Sequence, residues 1–160
     1  MTNKPLLITG SSGFFGDILK KQLLTQGFTC VGLDLHSDDY SHPNLVTVQG
    51  DVRDPKLVKG LFNQHKFGAV FHCAAMLAHD IPDKNLLWES NVEGTRNVAN
   101  AAVESDTDKL IFTSSNCLWG QSFGRPVQEK DVPNPVEIYG LSKLEAENLL
   151  MDCSNNLDVI

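Results

Sequence analysis

Gly10-Ser11-Ser12-Gly13-Phe14-Phe15-Gly16 repeats glycine at every third position, directly after the apolar run Pro5-Leu6-Leu7-Ile8. A turn of this kind between a strand and a helix aims backbone N–H groups and the positive end of the helix at an anion, and a pyrophosphate fits. Gly10 lets the chain turn, Gly13 admits the phosphates, and Gly16 is expected to let the helix lie against the sheet, with Phe14 and Phe15 in the same cradle. Glycine-rich turns also serve as plain connections, so the context must decide. A second group lies far down the chain, where Tyr139-Gly140-Leu141-Ser142-Lys143 puts a phenol and an amine four residues apart on one helix face. The ammonium can then lie beside the phenol, although an ordinary amphipathic helix with a solvated lysine shows the same spacing.

Asp34 supplies the context for the glycine turn. It ends a second apolar stretch 18 residues beyond Gly16, where a carboxylate accepts hydrogen bonds from an adenosine ribose and repels a 2′-phosphate. The position favours NAD over NADP; a solvated acid at a strand end is the plainer alternative.

The elements that must hold these residues alternate. Pro5 to Thr9 reads as a strand, and Phe15, Leu19 and Leu23 recur with helical spacing until Gly27. Phe28 to Leu33 and Leu45 to Gln49 read as strands, and Asp54-Pro55 opens a helix that runs to about Lys66. Ala69 to Cys73 is a buried strand, Asn85 to Glu104 a long helix, and Lys109 to Thr113 a strand ending on Thr113-Ser114-Ser115. Asn116 to Pro135 reads as a loop, rich in Gly and Pro, before a helix from about Val136 to Asp152. Strands alternating with helices imply an α/β, doubly wound, mostly parallel sheet of the Rossmann type. The whole of 1–160 is expected to form one NAD-binding domain. A strand begun at Leu157 to Ile160 with nothing after it points to a chain cut before a substrate lobe, and homodimerisation through the uncovered edge is compatible with that.

Composition narrows the partners. A formal net charge of −7 offers no general attraction to nucleic acid or anionic lipid, so any nucleotide must be held by local geometry. No apolar run is long enough for a membrane span, and Met1 to Lys4 leads into the first strand without a signal-peptide pattern, so a cytoplasmic location is expected. Cys30, Cys73, Cys117 and Cys153 are scattered with no Cys-x-x-Cys pair or nearby histidines, which fits reduced buried thiols and no metal site.

From Leu6 to about Leu150 the chain resembles the extended short-chain dehydrogenase/reductase family, which contains nucleotide-sugar epimerases and dehydratases. Gly50-Asp51-Val52 resembles the element that contacts adenine, and Cys73-Ala74-Ala75, after His72, the small-residue segment lining the cofactor. Asn91-Val92-Glu93-Gly94-Thr95 resembles the helix motif whose asparagine supports the cofactor site. Pro133-Asn134-Pro135, Tyr139 to Lys143 and Leu144-Glu145-Ala146-Glu147 together resemble the family's catalytic helix.

The resemblance implies Ser115, Tyr139 and Lys143 as a catalytic trio: the tyrosine exchanges a proton with the substrate oxygen, the serine hydrogen-bonds that oxygen, and the lysine lowers the phenol pKa. Tyr139 and Lys143 are then also cofactor contacts. Family dehydratases carry an Asp-Glu pair where this chain has Asn116 and Cys117, so elimination is not expected, and Trp119 replaces the usual tyrosine. The implied substrate is a nucleotide sugar, oxidised by NAD at a secondary alcohol and epimerised by hydride return. A one-way sugar or steroid-type alcohol dehydrogenase and a non-catalytic NAD-binding module remain open alternatives.

Overall fold

A computed structural model describes residues 4–77, 83–121 and 123–160. The chain runs β1 (Leu6–Thr9), α1 (Phe14–Thr25), β2 (Cys30–Asp34), β3 (Leu45–Gln49), α2 (Pro55–Gln64) and β4 (Ala69–His72). It continues through α3 (Lys84–Trp88), a π-helical turn (Glu89–Glu93), α4 (Gly94–Glu104), β5 (Lys109–Phe112), a 3-10 turn (Asn116–Trp119), α5 (Ile138–Cys153) and β6 (Asp158–Val159).

The strands form one sheet in the order β3-β2-β1-β4-β5-β6, and every pairing among the described residues is parallel. Helical crossovers cover the central strands, which explains why these read as continuous apolar runs, whereas β2 and β3 are joined by 35–44 without a helix and the edge strand β3 is partly exposed. On β1 the alternation is plain: Leu7 joins Val31, Phe62, Val98 and Leu150 on one face, while Ile8 joins Cys30, Leu23 and Leu24 on the other. The strand order reverses between β1 and β4, so a crevice opens beyond their carboxyl ends.

Two expectations need correction. The helix expected from Asn85 to Glu104 starts at Lys84, where Asp83 accepts from the Asn85 N–H at 2.9 Å, and it is interrupted by the π-helical turn. Within that turn the Asn91 carbonyl accepts from the Thr95 hydroxyl at 2.7 Å, while the Asn91 side chain reaches away to Met76 and Ser142. Helical periodicity does not reveal such an insertion. The loop expected over 116–135 contains the 3-10 turn, whose first N–H groups are capped by Ser115 through the Cys117 N–H at 3.2 Å. Ser122 of that loop lies outside the described residues.

Beneath the crevice lies a buried histidine with a determined tautomer. The Thr95 hydroxyl donates to the Asn91 carbonyl, so it must accept from His72 Nε2–H at 2.8 Å. Nδ1 is then the acceptor, taking the Thr9 hydroxyl proton at 2.7 Å, and the Thr9 oxygen in turn accepts from the Ala74 N–H at 3.2 Å. One neutral imidazole thus joins β1, β4 and α4. Burial pushes its pKa down from 6.5 to about 3, with Lys143 adding in the same direction.

The unfolded chain binds this proton near pH 6.5 and the folded chain only near 3, so between these values the unfolded state holds more protons. Stability should therefore fall on acidification from pH 6.5 toward 5, by up to about 1.4 kcal/mol per pH unit from this group. His72→Asn should be less stable at neutral pH and show a flatter dependence in that window, as read from urea unfolding at several pH values. Equal slopes for the variant and the parent would show that His72 is not held neutral by the fold.

Candidate functional site

The crevice is an open cleft of about 530 Å³. Of the residues expected to hold a dinucleotide, Gly10, Gly13, Asp34, Asp51, Val52, Cys73, Ala74 and Ala75 line it. Ser12, His36, Ser37, Met76, Leu77 and Ser90 also line it and carried no motif signal.

At the glycine turn Gly10 has φ +68°, and a Cβ there would stand 2.8 Å from the Ala74 nitrogen, so both conformation and space demand glycine. The role expected for Gly16 changes: its Cβ would strike the Gly10 carbonyl oxygen, so the residue is small to close the turn on itself, not to meet the sheet. Gly13 is the N-cap of α1 and no side chain caps the helix, in contrast to α2 and α3, which Asp54 and Asp83 cap. The leading N–H groups are therefore available to an anion. Phe14 and Phe15 are 89% and 54% exposed, and neither they nor Gly16 is among the residues lining the cleft.

Asp34 is fixed by backbone donors: Oδ2 accepts from the Ser12 N–H at 2.9 Å and Oδ1 from the His36 N–H at 3.0 Å. Each oxygen keeps a lone pair for a ribose hydroxyl. Asp51 is more occupied than expected. Arg53 donates to it from its backbone N–H at 2.8 Å, from Nε at 2.8 Å and from Nη2 at 2.6 Å. Burial pushes the Asp51 carboxyl up, but the Arg53 hydrogen bonds outweigh it and hold the group below its ordinary value. Arg53 went unrecognised because an arginine in a turn reads as solvated.

Val52 is buried against Gly94, where a Cβ would come within 2.7 Å of its Cγ2. Asn91 does not line the cleft; it braces the wall. Its side chain accepts from the Met76 N–H at 2.7 Å and donates to the Met76 carbonyl and to Ser142 Oγ, both at 3.0 Å. Burial pushes the Cys73 thiol up to about 11, so it stays protonated.

Ser115 and Tyr139 meet beyond β5 through their hydroxyls, and Lys143 follows one turn later on α5. Gly140 makes this contact feasible, because a Cβ there would lie 2.6 Å from the Cys117 carbonyl oxygen and hold α5 off the 3-10 turn. Ser142 Oγ donates to the Tyr139 carbonyl at 2.8 Å, so Asn91, Ser142 and the first turn of α5 are linked. Burial pushes the half-buried Tyr139 phenol above its ordinary value, and the neighbouring Ser115 hydroxyl pulls it partly back. Lys143 is not among the groups that shift this phenol. The Lys143 ammonium sits instead 3.9 Å above the centre of the Phe112 ring, whose plane stacks with His72 at 5.8 Å. Burial pushes Lys143 down to about 8, with Cys73 and Glu147 opposing the shift. Phe112 reads as strand core, and His72 enters the sequence reading only as the first residue of the His72-Cys73-Ala74-Ala75 segment.

Among the described residues no cluster of three or more His, Cys, Asp or Glu could hold a metal ion, and no helix is long and apolar enough to cross a membrane.

Residues 6–159 match the sequence model of the NAD dependent epimerase/dehydratase family. The uncharacterized protein y4nG of Sinorhizobium fredii is 37% identical over 144 residues, covering 90% of this chain and 36% of that protein. The UDP-glucose 4-epimerase of Halalkalibacterium halodurans is 29% identical, covering 92% of this chain and 46% of its own. The crystal structure of the Bordetella bronchiseptica enzyme WbmG in complex with NAD superposes with a TM-score of 0.91 at 27% identity, over 98% of this chain and 51% of WbmG. The chain thus spans between about a third and about half of the length of these relatives. With the match running through the glycine turn, Asp34 and the Tyr139 helix, the chain belongs to the NAD dependent epimerase/dehydratase family.

Proposed function

We propose that this chain is the NAD-binding portion of an enzyme that oxidises a secondary alcohol of a nucleotide sugar and, as an epimerase, returns the hydride to the opposite face. The observation that carries the reading is the pairing of Ser115 with Tyr139 at the start of α5, with Lys143 one helical turn further on, in a chain whose cleft is headed by an uncapped helix N-terminus. The residues fit the dinucleotide. Free N–H groups of α1 face the pyrophosphate, Asp34 takes the ribose hydroxyls, Val52 and Asp51 flank the adenine, and Cys73, Ala74 and Ala75 leave room along the wall. Similarity to a UDP-glucose 4-epimerase supports a nucleotide sugar as the substrate class.

NAD, when bound, supplies the hydride acceptor. Tyr139 takes the proton of the substrate hydroxyl and returns it in the reverse step, and the Ser115 hydroxyl hydrogen-bonds the reacting oxygen. A phenol raised by burial is a poor base until positive charge stabilises its anion. Lys143, mostly protonated at neutral pH with a pKa of about 8, contributes that charge and also holds the nicotinamide ribose. Asn116 and Cys117 offer no carboxylate pair where the dehydratases carry Asp-Glu, so water elimination is not part of the scheme.

In the whole protein, Tyr139→Phe keeps the ring and removes the proton-transferring oxygen. Turnover of UDP-sugars should fall on the order of 10² or more while NAD affinity changes by only a few fold. Lys143→Met should weaken both. Near-normal turnover by the Tyr139→Phe protein would overturn the mechanism, and steady release of NADH in place of a redox-neutral cycle would replace the epimerase by a dehydrogenase.

Binding offers a second check that needs no turnover. NAD should bind better than NADP, and Asp34→Ala should narrow the difference, mainly through weaker NAD binding. A preference for NADP that Asp34→Ala leaves unchanged would remove Asp34 from the ribose. Gly13→Val should weaken both dinucleotides, since its side chain would stand at the mouth of the turn.

A further inference from the structure

Lys20, on α1, is wholly buried beneath the glycine turn and has no part in the proposed reaction. Its ammonium donates to the Ser11 carbonyl at 3.1 Å, to Asp17 Oδ1 at 3.1 Å and to Asp38 Oδ2, so its three protons meet three acceptors. Asp17 also pairs with the exposed Lys21 at 2.7 Å. Asp38 lies in the segment after β2, and its Oδ1 accepts from the Tyr40 N–H at 2.9 Å.

A smaller recess of about 160 Å³ lies beside this pair, with Ser12, Asp34 and Asp38 in its lining. It shares Ser12, Asp34, His36 and Ser37 with the main cleft, so it is the adjoining space for a substituent on a ribose held by Asp34. The Ser12 hydroxyl is buried there without a hydrogen-bond partner among the described residues. The recess has room and an unmet polar group, yet two carboxylates face it.

We propose that Asp38, fixed in this recess by the buried Lys20, is a second determinant of dinucleotide selectivity: its carboxylate repels a 2′-phosphate and masks a cation that would otherwise attract one. The proposal rests on the cleft binding a dinucleotide. Asp34 alone presents one charge, already engaged by two backbone N–H groups. Asp38 adds a second in the lining of the same recess, and its salt bridge holds it in place. A purely structural salt bridge that staples the segment after β2 to α1 differs in one respect: its loss would weaken NAD and NADP alike.

The test is calorimetric titration of the parent chain and Asp38→Asn with NAD, NADP and 2′-AMP. Asparagine keeps the shape and an acceptor for Lys20 but removes the charge. NAD affinity should stay within about threefold, while NADP and 2′-AMP bind about tenfold tighter or more, a gain that shrinks as salt is added. Removing one partner of a buried pair destabilises a fold, so the double variant Lys20→Met with Asp38→Leu serves beside it. With the carboxylate and the cation both gone, the NADP-to-NAD ratio should fall between those of the parent and Asp38→Asn. An unchanged ratio in whichever variant folds, or equal weakening of both dinucleotides, overturns the proposal. If the parent binds neither dinucleotide, the reading of the cleft itself has failed and this proposal fails with it.

Discussion

The neutral imidazole of His72 is the point on which the parts of the site converge. Its two nitrogens join Thr9 at the end of β1 to Thr95 in α4, and the same Thr9 oxygen takes the Ala74 N–H that begins the cleft wall. The ring also backs Phe112, which carries Lys143 on its face. A charged imidazole would break the arrangement twice, because Nδ1 would present a second donor to the Thr9 hydroxyl and a positive charge would stand near the ammonium. Complete burial keeps it neutral. The switch point of the sheet and the catalytic helix are thereby registered against one another through a group that touches neither the dinucleotide nor the substrate.

Two buried lysines show how differently this fold treats a cation. Lys20 has every proton taken by an acceptor and is locked. Lys143 has an aromatic face beneath it and a pKa lowered by desolvation, so its charge is supported weakly and its protons remain available. The role proposed for Lys143, holding a ribose and stabilising a phenolate, calls for that incompleteness. Phe112 reconciles burial with availability, since an aromatic face attracts the charge without occupying a donor.

Sequence patterns made the frame legible because the frame obeys periodicity. Parallel strands buried on both faces appear as apolar runs, α2 announces itself through Asp54-Pro55, and the glycine turn is visible because Gly10 and Gly16 tolerate no Cβ. The candidate trio was visible for another reason: Ser115, Tyr139 and Lys143 stand in a resemblance that spans nearly the chain. The supporting residues were hidden. His72 and Phe112 occupy core positions in strands, Lys20 and Arg53 look like surface charges, and their partners are distant in sequence or on other elements, with Phe112 and Lys143 being 31 residues apart. The π-helical turn inserts its extra residue without changing the polarity pattern. A pattern read along one dimension registers which face a residue occupies, but not which groups from other elements close over it.

The two ends of the cleft are held by forces with different sensitivities. At the adenosine end the supports are ionic: Lys20 with Asp38 and Asp17, and Arg53 with Asp51. At the catalytic end they are neutral hydrogen bonds through Asn91, Ser142, Thr95 and His72, buried where salt does not reach. Arg53 and Asp51 are partly exposed, so added salt screens that pair first, whereas the Lys20 group is shielded. Acid acts on His72 through the unfolded chain, which binds the proton near pH 6.5 while the folded chain does so only near 3. Ionic strength therefore acts first on the Arg53–Asp51 pair, while neutral, buried hydrogen bonds tie Asn91 and Ser142 to the first turn of α5 at the other end of the cleft.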